Sequence, residues 1–207
     1  MSADVRFWDN IAERYANQPI ADESAYQEKL ARTRALLTPQ SEVLEFACGT
    51  GGTALAHAPF VRHLTAIDCS DGMLDYAREK LNRSGLSNVH FERSTIETFE
   101  APSAHYDVVL GMSILHLVDD RKTVMERVHQ MLKADGYFVS STLCLGDWMS
   151  WFRFIVPLLK RTGKIPNVST FTEKTLVNEL KQSGFEIVDQ WRPRKKAAVF
   201  IIARKPA

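Results

Sequence analysis

The chain has 207 residues, 45% hydrophobic and 25% charged, the balance of an ordinary folded protein with enough apolar material for a sizeable core. Its 26 Lys+Arg against 25 Asp+Glu leave a formal charge of +1, which gives no overall pull toward nucleic acid or an anionic membrane. The three cysteines, Cys48, Cys69 and Cys144, form no CxxC pair and no metal-ligand spacing with histidine, so neither a disulfide framework nor a metal site is expected.

The N-terminal stretch MSADVRFWDNIAERYANQ is amphipathic and lacks the apolar core of a secretory signal. No apolar run approaches the roughly 18–20 residues that span a bilayer. A single soluble domain in the cytoplasm is the expectation, with no transmembrane segment.

Two helices are predicted first, over about 4–17 and 23–37, the second ended by Pro39. Phe7, Ile11 and Tyr15 recur on one face of the first. Val43 to Ala47 reads as a buried strand, followed by Gly49-Thr50-Gly51-Gly52 and a short helix. A second strand is His63–Asp68, then comes a helix over 71–84 with Met73, Leu74, Ala77 and Leu81 on one face. Strands are predicted at 88–93 and 106–111, a helix at 120–133 stopped by Gly136, and a strand at Tyr137–Thr142. The chain closes with a helix (172–183) and two strands (185–192 and 197–204) joined by Pro193 to Lys196, a hairpin length that makes them antiparallel.

Strands alternating with helices predict an α/β fold with a doubly wound, mostly parallel sheet and a C-terminal antiparallel hairpin. Right-handed crossovers then bring every strand-to-helix turn to one edge, where ligands bind.

The turn Glu45-Phe46-Ala47-Cys48-Gly49-Thr50-Gly51 points to a ligand. Glycines after a buried strand let the backbone turn tightly and admit a ligand with no Cβ in the way. Asp68, ending the next strand, stands where an acid accepts hydrogen bonds from ribose hydroxyls. Gly49-x-Gly51-x-x-Ala54 also fits the dinucleotide fingerprint, so an NAD-type oxidoreductase is the rival. Against it, Glu45 lies in a strand buried on both faces, where a carboxylate is costly unless a cationic ligand group meets it. The Tyr-x-x-x-Lys pair of short-chain dehydrogenases occurs only as Tyr76 and Lys80, too early in the topology to serve as a catalytic couple.

VLEFACGTGG, AIDCSDGMLDYAREK, YDVVLGMSILHLV and LKADGYFVSST resemble the successive motifs of small class I S-adenosylmethionine-dependent methyltransferases. The resemblance is strong over 40–143. It implies a Rossmann-like seven-stranded sheet in the order 3-2-1-4-5-7-6, with S-adenosyl-L-methionine as cofactor. It assigns Glu45, Ala47, Gly49, Thr50 and Gly51 to the turn around the methionine and ribose, and Asp68 to the ribose. Met73, after Ser70 of the same cofactor-binding set, would form the apolar wall under adenine, Met112 and Ser113 would lie beside the methionine portion, and Tyr15, from the opening FWDNIAERY, over it. The family's usual adenine-binding acid is replaced by Ser94-Thr95-Ile96, leaving the Thr95 hydroxyl and the Ile96 N–H for that contact. Plainer roles compete: core packing for Met73 and Tyr15, simple packing for Cys48 and Cys69.

Gly111-Met112-Ser113 is not the run of enzymes that methylate amino groups on bases, so the remaining default is a small, partly apolar acceptor and no nucleic acid. His116, just past the fourth strand, is the candidate general base, with a structural role as its equal. Within one methyltransferase domain spanning 1–207, four parts are expected: a helical cover (1–39), a cofactor-binding core (40–143), a lid (144–170) and a final helix with the hairpin (171–207). The lid's apolar stripe includes Trp148, Trp151, Phe152 and Ile155, and core packing or peripheral membrane contact are its alternatives. The basic cluster Arg192, Arg194, Lys195 and Lys196 reads as a solvated hairpin tip. A protein that binds the cofactor without catalysis is the remaining alternative.

Overall fold

A computed structural model describes residues 2–149 and 168–207. The chain opens with α1 (Ser2–Ala16) and α2 (Glu23–Arg34), the latter capped by the Asp22 side chain accepting from the Ala25 amide. Then follow β1 (Glu42–Phe46), α3 (Gly52–His57), β2 (His63–Asp68), α4 (Asp71–Ser84), β3 (Val89–Arg93) and β4 (Tyr106–Met112). Next come α5 (Arg121–Met131), β5 (Leu132–Thr142), α6 (Glu173–Gln182), β6 (Glu186–Trp191) and β7 (Val199–Arg204).

The strands form one seven-stranded sheet in the order β3-β2-β1-β4-β5-β7-β6, as the resemblance implies. Neighbours from β3 through β5 are parallel, while β7 is antiparallel to both β5 and β6. The inner strands are buried on both faces, so they read as near-continuous apolar runs. On one face Leu44, Phe46, Val109 and Phe138 pack against Val124 and Val128 of α5 and Leu176 and Leu180 of α6. On the other, Val43, Leu64, Leu110 and Val139 meet Ala54 of α3 and Leu74 and Ala77 of α4. Helices thus leave β1 and β4, adjacent strands, toward opposite faces, and the crevice at this switch point is where such sheets bind ligands.

Two boundaries differ from expectation. Helix α5 ends at Met131, five residues short of Gly136, because Leu132 already pairs with Tyr106 and the carbonyls of Gln130 and Met131 accept from Ala104 and His105. Gly136 instead closes the turn into the paired part of β5, where a Cβ would sit 3.1 Å from the Asp107 carbonyl. The β6–β7 connection covers 192–198, longer than four residues. Among the described residues no helix is long and apolar enough to cross a membrane.

Candidate active site

The site is built at the end of β1. Ala47, Gly49 and Gly51 all have positive φ (53°, 54° and 74°), which folds the backbone back under itself. The Cys48 amide continues the sheet by donating to Ile67 O at 3.0 Å, and the Gly51 amide closes the turn on Cys48 O. Lys80 of α4 locks the turn from below, its ammonium donating to the carbonyl and the hydroxyl of Thr50 at 3.0 and 2.9 Å. Lys80 is therefore occupied in the turn rather than paired with Tyr76.

Asp68 ends β2 beside this turn. Its two carboxylate oxygens accept the amides of Gly49 (2.8 Å) and Ser70 (2.9 Å). Burial raises its pKa, and those backbone donors act against the rise. Ser70 caps α4 through Met73 N and donates to Asp9 of α1 at 2.6 Å, while Asp9 also accepts from Gly72 N. The first helix is thereby fastened across the turn. Tyr15, at its far end, is the atom neighbour a Cβ on Gly49 would meet, at 3.7 Å.

Two cavities flank Ala47, which lines both. The larger, about 590 Å³, lies on the Glu45, Gly49 and Thr50 side and is roofed by Tyr15 and α2. Met112 and Ser113 line it from the end of β4, and Ser113 sits at φ 58° with its amide on Ser141 O at 2.7 Å. Glu45 is 2% exposed, and its Oε2 has no hydrogen-bond partner among the described residues. Burial, then the Asp68 charge, pushes its pKa up to about 8. His57, with both ring nitrogens unpartnered among the described residues, also lines this cavity, and burial followed by the Arg34 charge holds its pKa at about 4.

The smaller cavity, about 120 Å³, is lined by Phe46, Ala47, Cys69, Thr95, Ile96 and Trp8, among others. Trp8 stacks edge-on against Tyr15, so a single helix supplies a ring to each cavity. Neither Trp8 nor Asp9 was singled out as a site residue in the sequence. The FWD run carried a signal, since Trp8 stands seven residues, about two helical turns, before Tyr15.

The remaining expected residues fall differently. Gly51 lines neither cavity, being packed against Phe91 and Ala77 of the core. Met73 is buried in α4, and Ser70 is wholly buried at its cap; neither lines a cavity. His116 is buried, lines neither cavity, and has an Nδ1 with no partner among the described residues. Its carbonyl holds the Ser169 amide at 2.7 Å, and burial holds its pKa at about 4. Burial raises the Cys69 and Cys144 thiols to about 12 and the Cys48 thiol also, which suits packing better than attack.

The basic cluster is not uniformly solvated. Arg192 pairs with Asp147 (2.5 Å) and Glu173 (2.7 Å) with 14% of its side chain exposed, and Arg194 reaches Asp22 at 2.6 Å. Trp151, Phe152 and most of the expected lid lie outside the described residues.

Residues 43–136 match the family model described as a methyltransferase domain. That segment is a methyltransferase domain. The chain is 28% identical over 131 residues to an uncharacterized methyltransferase, YcgJ, of Bacillus subtilis, covering 62% of this chain and 50% of that one. It is 27% identical over 187 residues to a demethylmenaquinone methyltransferase of Leptospira interrogans, covering 80% and 75%. Among solved structures, an S-adenosylmethionine-dependent methyltransferase from Mesorhizobium loti superposes with a TM-score of 0.71 at 22% identity, covering 88% of this chain and 99% of that one, a likeness of fold. The chain thus spans half the length of the Bacillus relative and three quarters of the Leptospira one.

Proposed function

We propose that this chain transfers a methyl group from S-adenosyl-L-methionine to a small, partly apolar acceptor. The observation that carries this reading is the buried Glu45 carboxylate, one oxygen unpartnered among the described residues, lining the larger cavity beside the glycine turn. An unpaired carboxylate there destabilises the fold, whereas a cationic amino group would pair with it. A dinucleotide offers no such group, and an apolar residue would serve it better.

In this reading Glu45 and Tyr15 hold the methionine portion with Met112 and Ser113. Gly49 leaves room at the turn, Asp68 accepts from the ribose, and Thr95 and Ile96 border the adenine in the smaller cavity. Ala47 and Thr50 shape the path between, while Gly51, Ser70 and Met73 act by supporting the turn and the start of α4.

The cofactor supplies an activated methyl group on a sulfonium, and the transfer is an in-line displacement. The protein's task is alignment of the acceptor and, where needed, removal of its proton, for which His116 is the proposed base. Residues 1–39 would cover the site, 144–170 would close it as a lid and 171–207 would complete the sheet, all within one unit. The Leptospira relative's name places a demethylated quinone among the acceptors worth testing, and peripheral membrane contact by the lid would suit such a substrate.

The test is calorimetric titration followed by a labelled-methyl acceptor screen. S-adenosylmethionine and its demethylated product should bind, NAD should not, and label should appear on an acceptor. NAD binding in preference would overturn the assignment, and cofactor binding without any product across a broad screen would favour a non-catalytic binding protein.

A further inference from the structure

Helix α2, which roofs the larger cavity, is held unequally at its two ends. Its C-terminal end is tied down from β6 and α3. Arg32 pairs with Asp189 of β6 at 2.6 Å and lies over the Trp191 ring, and Arg34 donates to the Ala56 carbonyl of α3 at 3.1 Å. Midway, Lys29 donates from Nζ to Ser141 Oγ on β5 at 2.8 Å, and both residues line the cavity. The N-terminal end meets the β6–β7 connection through its capping residue, Asp22, whose Oδ2 accepts from Arg194 at 2.6 Å.

We infer that the Asp22–Arg194 ion pair is a latch across the mouth of the larger cavity, released to admit and discharge what binds there. Its partners stand 172 positions apart, one on the α1–α2 connection and one on the β6–β7 connection, and both line the cavity. Both also reach solvent, with 33% of the Asp22 side chain and 67% of the Arg194 side chain exposed, whereas Glu45 and Thr50 on the cavity wall are buried. Lining and exposure together put the pair at the rim. Pro19 and Ile20 near Asp22, and Pro193 and Ala197 near Arg194, line the cavity too, so the two connections meet over its opening. An exposed ion pair is weak and opens readily. Asp22 also divides its oxygens: Oδ1 caps α2 through the Ala25 amide at 3.1 Å, leaving Oδ2 for Arg194. Releasing Arg194 therefore leaves the first turn of α2 capped, and this end can lift as a unit about the anchored Arg32 and Arg34.

The experiment treats the full, ligand-free chain with N-ethylmaleimide, a neutral thiol reagent, and follows each cysteine by peptide mass spectrometry. Cys48 lines the larger cavity and Cys69 the smaller, so one reports on the latch and the other serves as its control. Arg194→Gln, and Asp22→Asn, which keeps a capping oxygen, should each label Cys48 about two- to fivefold faster, the effect of losing an exposed ion pair, with Cys69 unchanged. The double variant should add nothing to either single one, and Lys195→Gln, which removes a neighbouring charge, should match the parent. Raising salt from about 0.05 to 0.5 M should speed Cys48 labelling in the parent and leave the variants flat, a response that a purely structural contact would not give. Unchanged Cys48 labelling in either single variant, effects that multiply in the double one, or equal acceleration at Cys69 overturns the inference. A second arm rests on the methyl-transfer reading and follows S-adenosylhomocysteine by tryptophan fluorescence. Association and release should both accelerate by the same factor, with affinity held within about twofold. Weaker affinity without faster Cys48 labelling also overturns the inference, since Arg194 would then touch the ligand itself. Failure of the methyl-transfer reading has its own signature: S-adenosylhomocysteine does not bind the parent, and Cys48 labelling still decides the latch.

Discussion

The Asp68 carboxylate accepts the Gly49 amide at 2.8 Å, so the acid proposed to hold the ribose also holds the glycine turn in place. Its other oxygen takes the Ser70 amide, the residue that caps α4. Asp68→Ala is expected to weaken S-adenosylmethionine binding by at least about tenfold, since charge-assisted hydrogen bonds contribute roughly 1.5–3 kcal/mol. It should also lower the melting temperature, because two amides lose their acceptor. Titration calorimetry and a melt on the same protein separate the two effects; unchanged affinity would remove the ribose role.

The two turn glycines should fail in different ways. A Cβ on Gly51 would stand 2.8 Å from Phe91 Cζ and 2.9 Å from Ala77 Cβ, while one on Gly49 would meet only Tyr15 at 3.7 Å. Gly51→Ala is therefore expected to destabilise the fold strongly, with left-handed strain and a core clash together. Gly49→Ala adds only the strain, about 1–2 kcal/mol, and should fold but bind the cofactor poorly. Equal melting temperatures for the two variants would contradict this division.

Glu45 makes a pH-dependent prediction. Its folded pKa of about 8 exceeds the ordinary 4.5, so the ligand-free fold holds a proton that the unfolded chain releases. The stability associated with Glu45 is full below about pH 4.5 and is lost as pH rises through about 8. A cationic ligand group would draw the carboxylate into its charged form. Cofactor binding near neutral pH should then release up to about one proton, visible as a binding enthalpy that depends on the buffer's ionisation enthalpy. Glu45→Gln should abolish the release, weaken binding and flatten the stability profile. Proton release persisting in that variant would place the titrating group elsewhere.

For His116, burial holds the imidazole neutral down to about pH 4. If it removes the acceptor's proton, the acid limb of the rate profile lies near pH 4 rather than at the ordinary 6.5. His116→Ala should then reduce turnover by about 10²–10⁴-fold and remove that limb, with cofactor affinity unchanged. The same burial makes the histidine's contribution to stability present above about pH 6.5 and lost as pH falls through about 4. Near-parental turnover in a folded variant would return His116 to a structural role, as the anchor of the Ser169 amide.

Local pattern was enough for the strands, and the family resemblance supplied their order. Buried runs such as Val43-Leu44-Glu45-Phe46 and Val108-Val109-Leu110 reflect strands covered on both faces, and glycines of positive φ after β1 leave a signature that is local by nature. The Glu45 anomaly was visible for the same reason, because burial of a strand is written in its neighbours. Tertiary structure decided the partners. Lys29 and Ser141 stand 112 residues apart, Arg192 finds Asp147 and Glu173, and Asp9 reaches Ser70 across 61 positions. Periodicity reports how deeply a residue is buried but not which distant strand lies beside it, so a lone helical lysine reads as a solvated charge. Only the order of the strands, which brings β5 beneath α2, turns that lysine into part of a cavity wall. The end of α5 follows the same rule: capture of its last carbonyls by Ala104 and His105 is a contact between segments, and no feature of the helix itself encodes it.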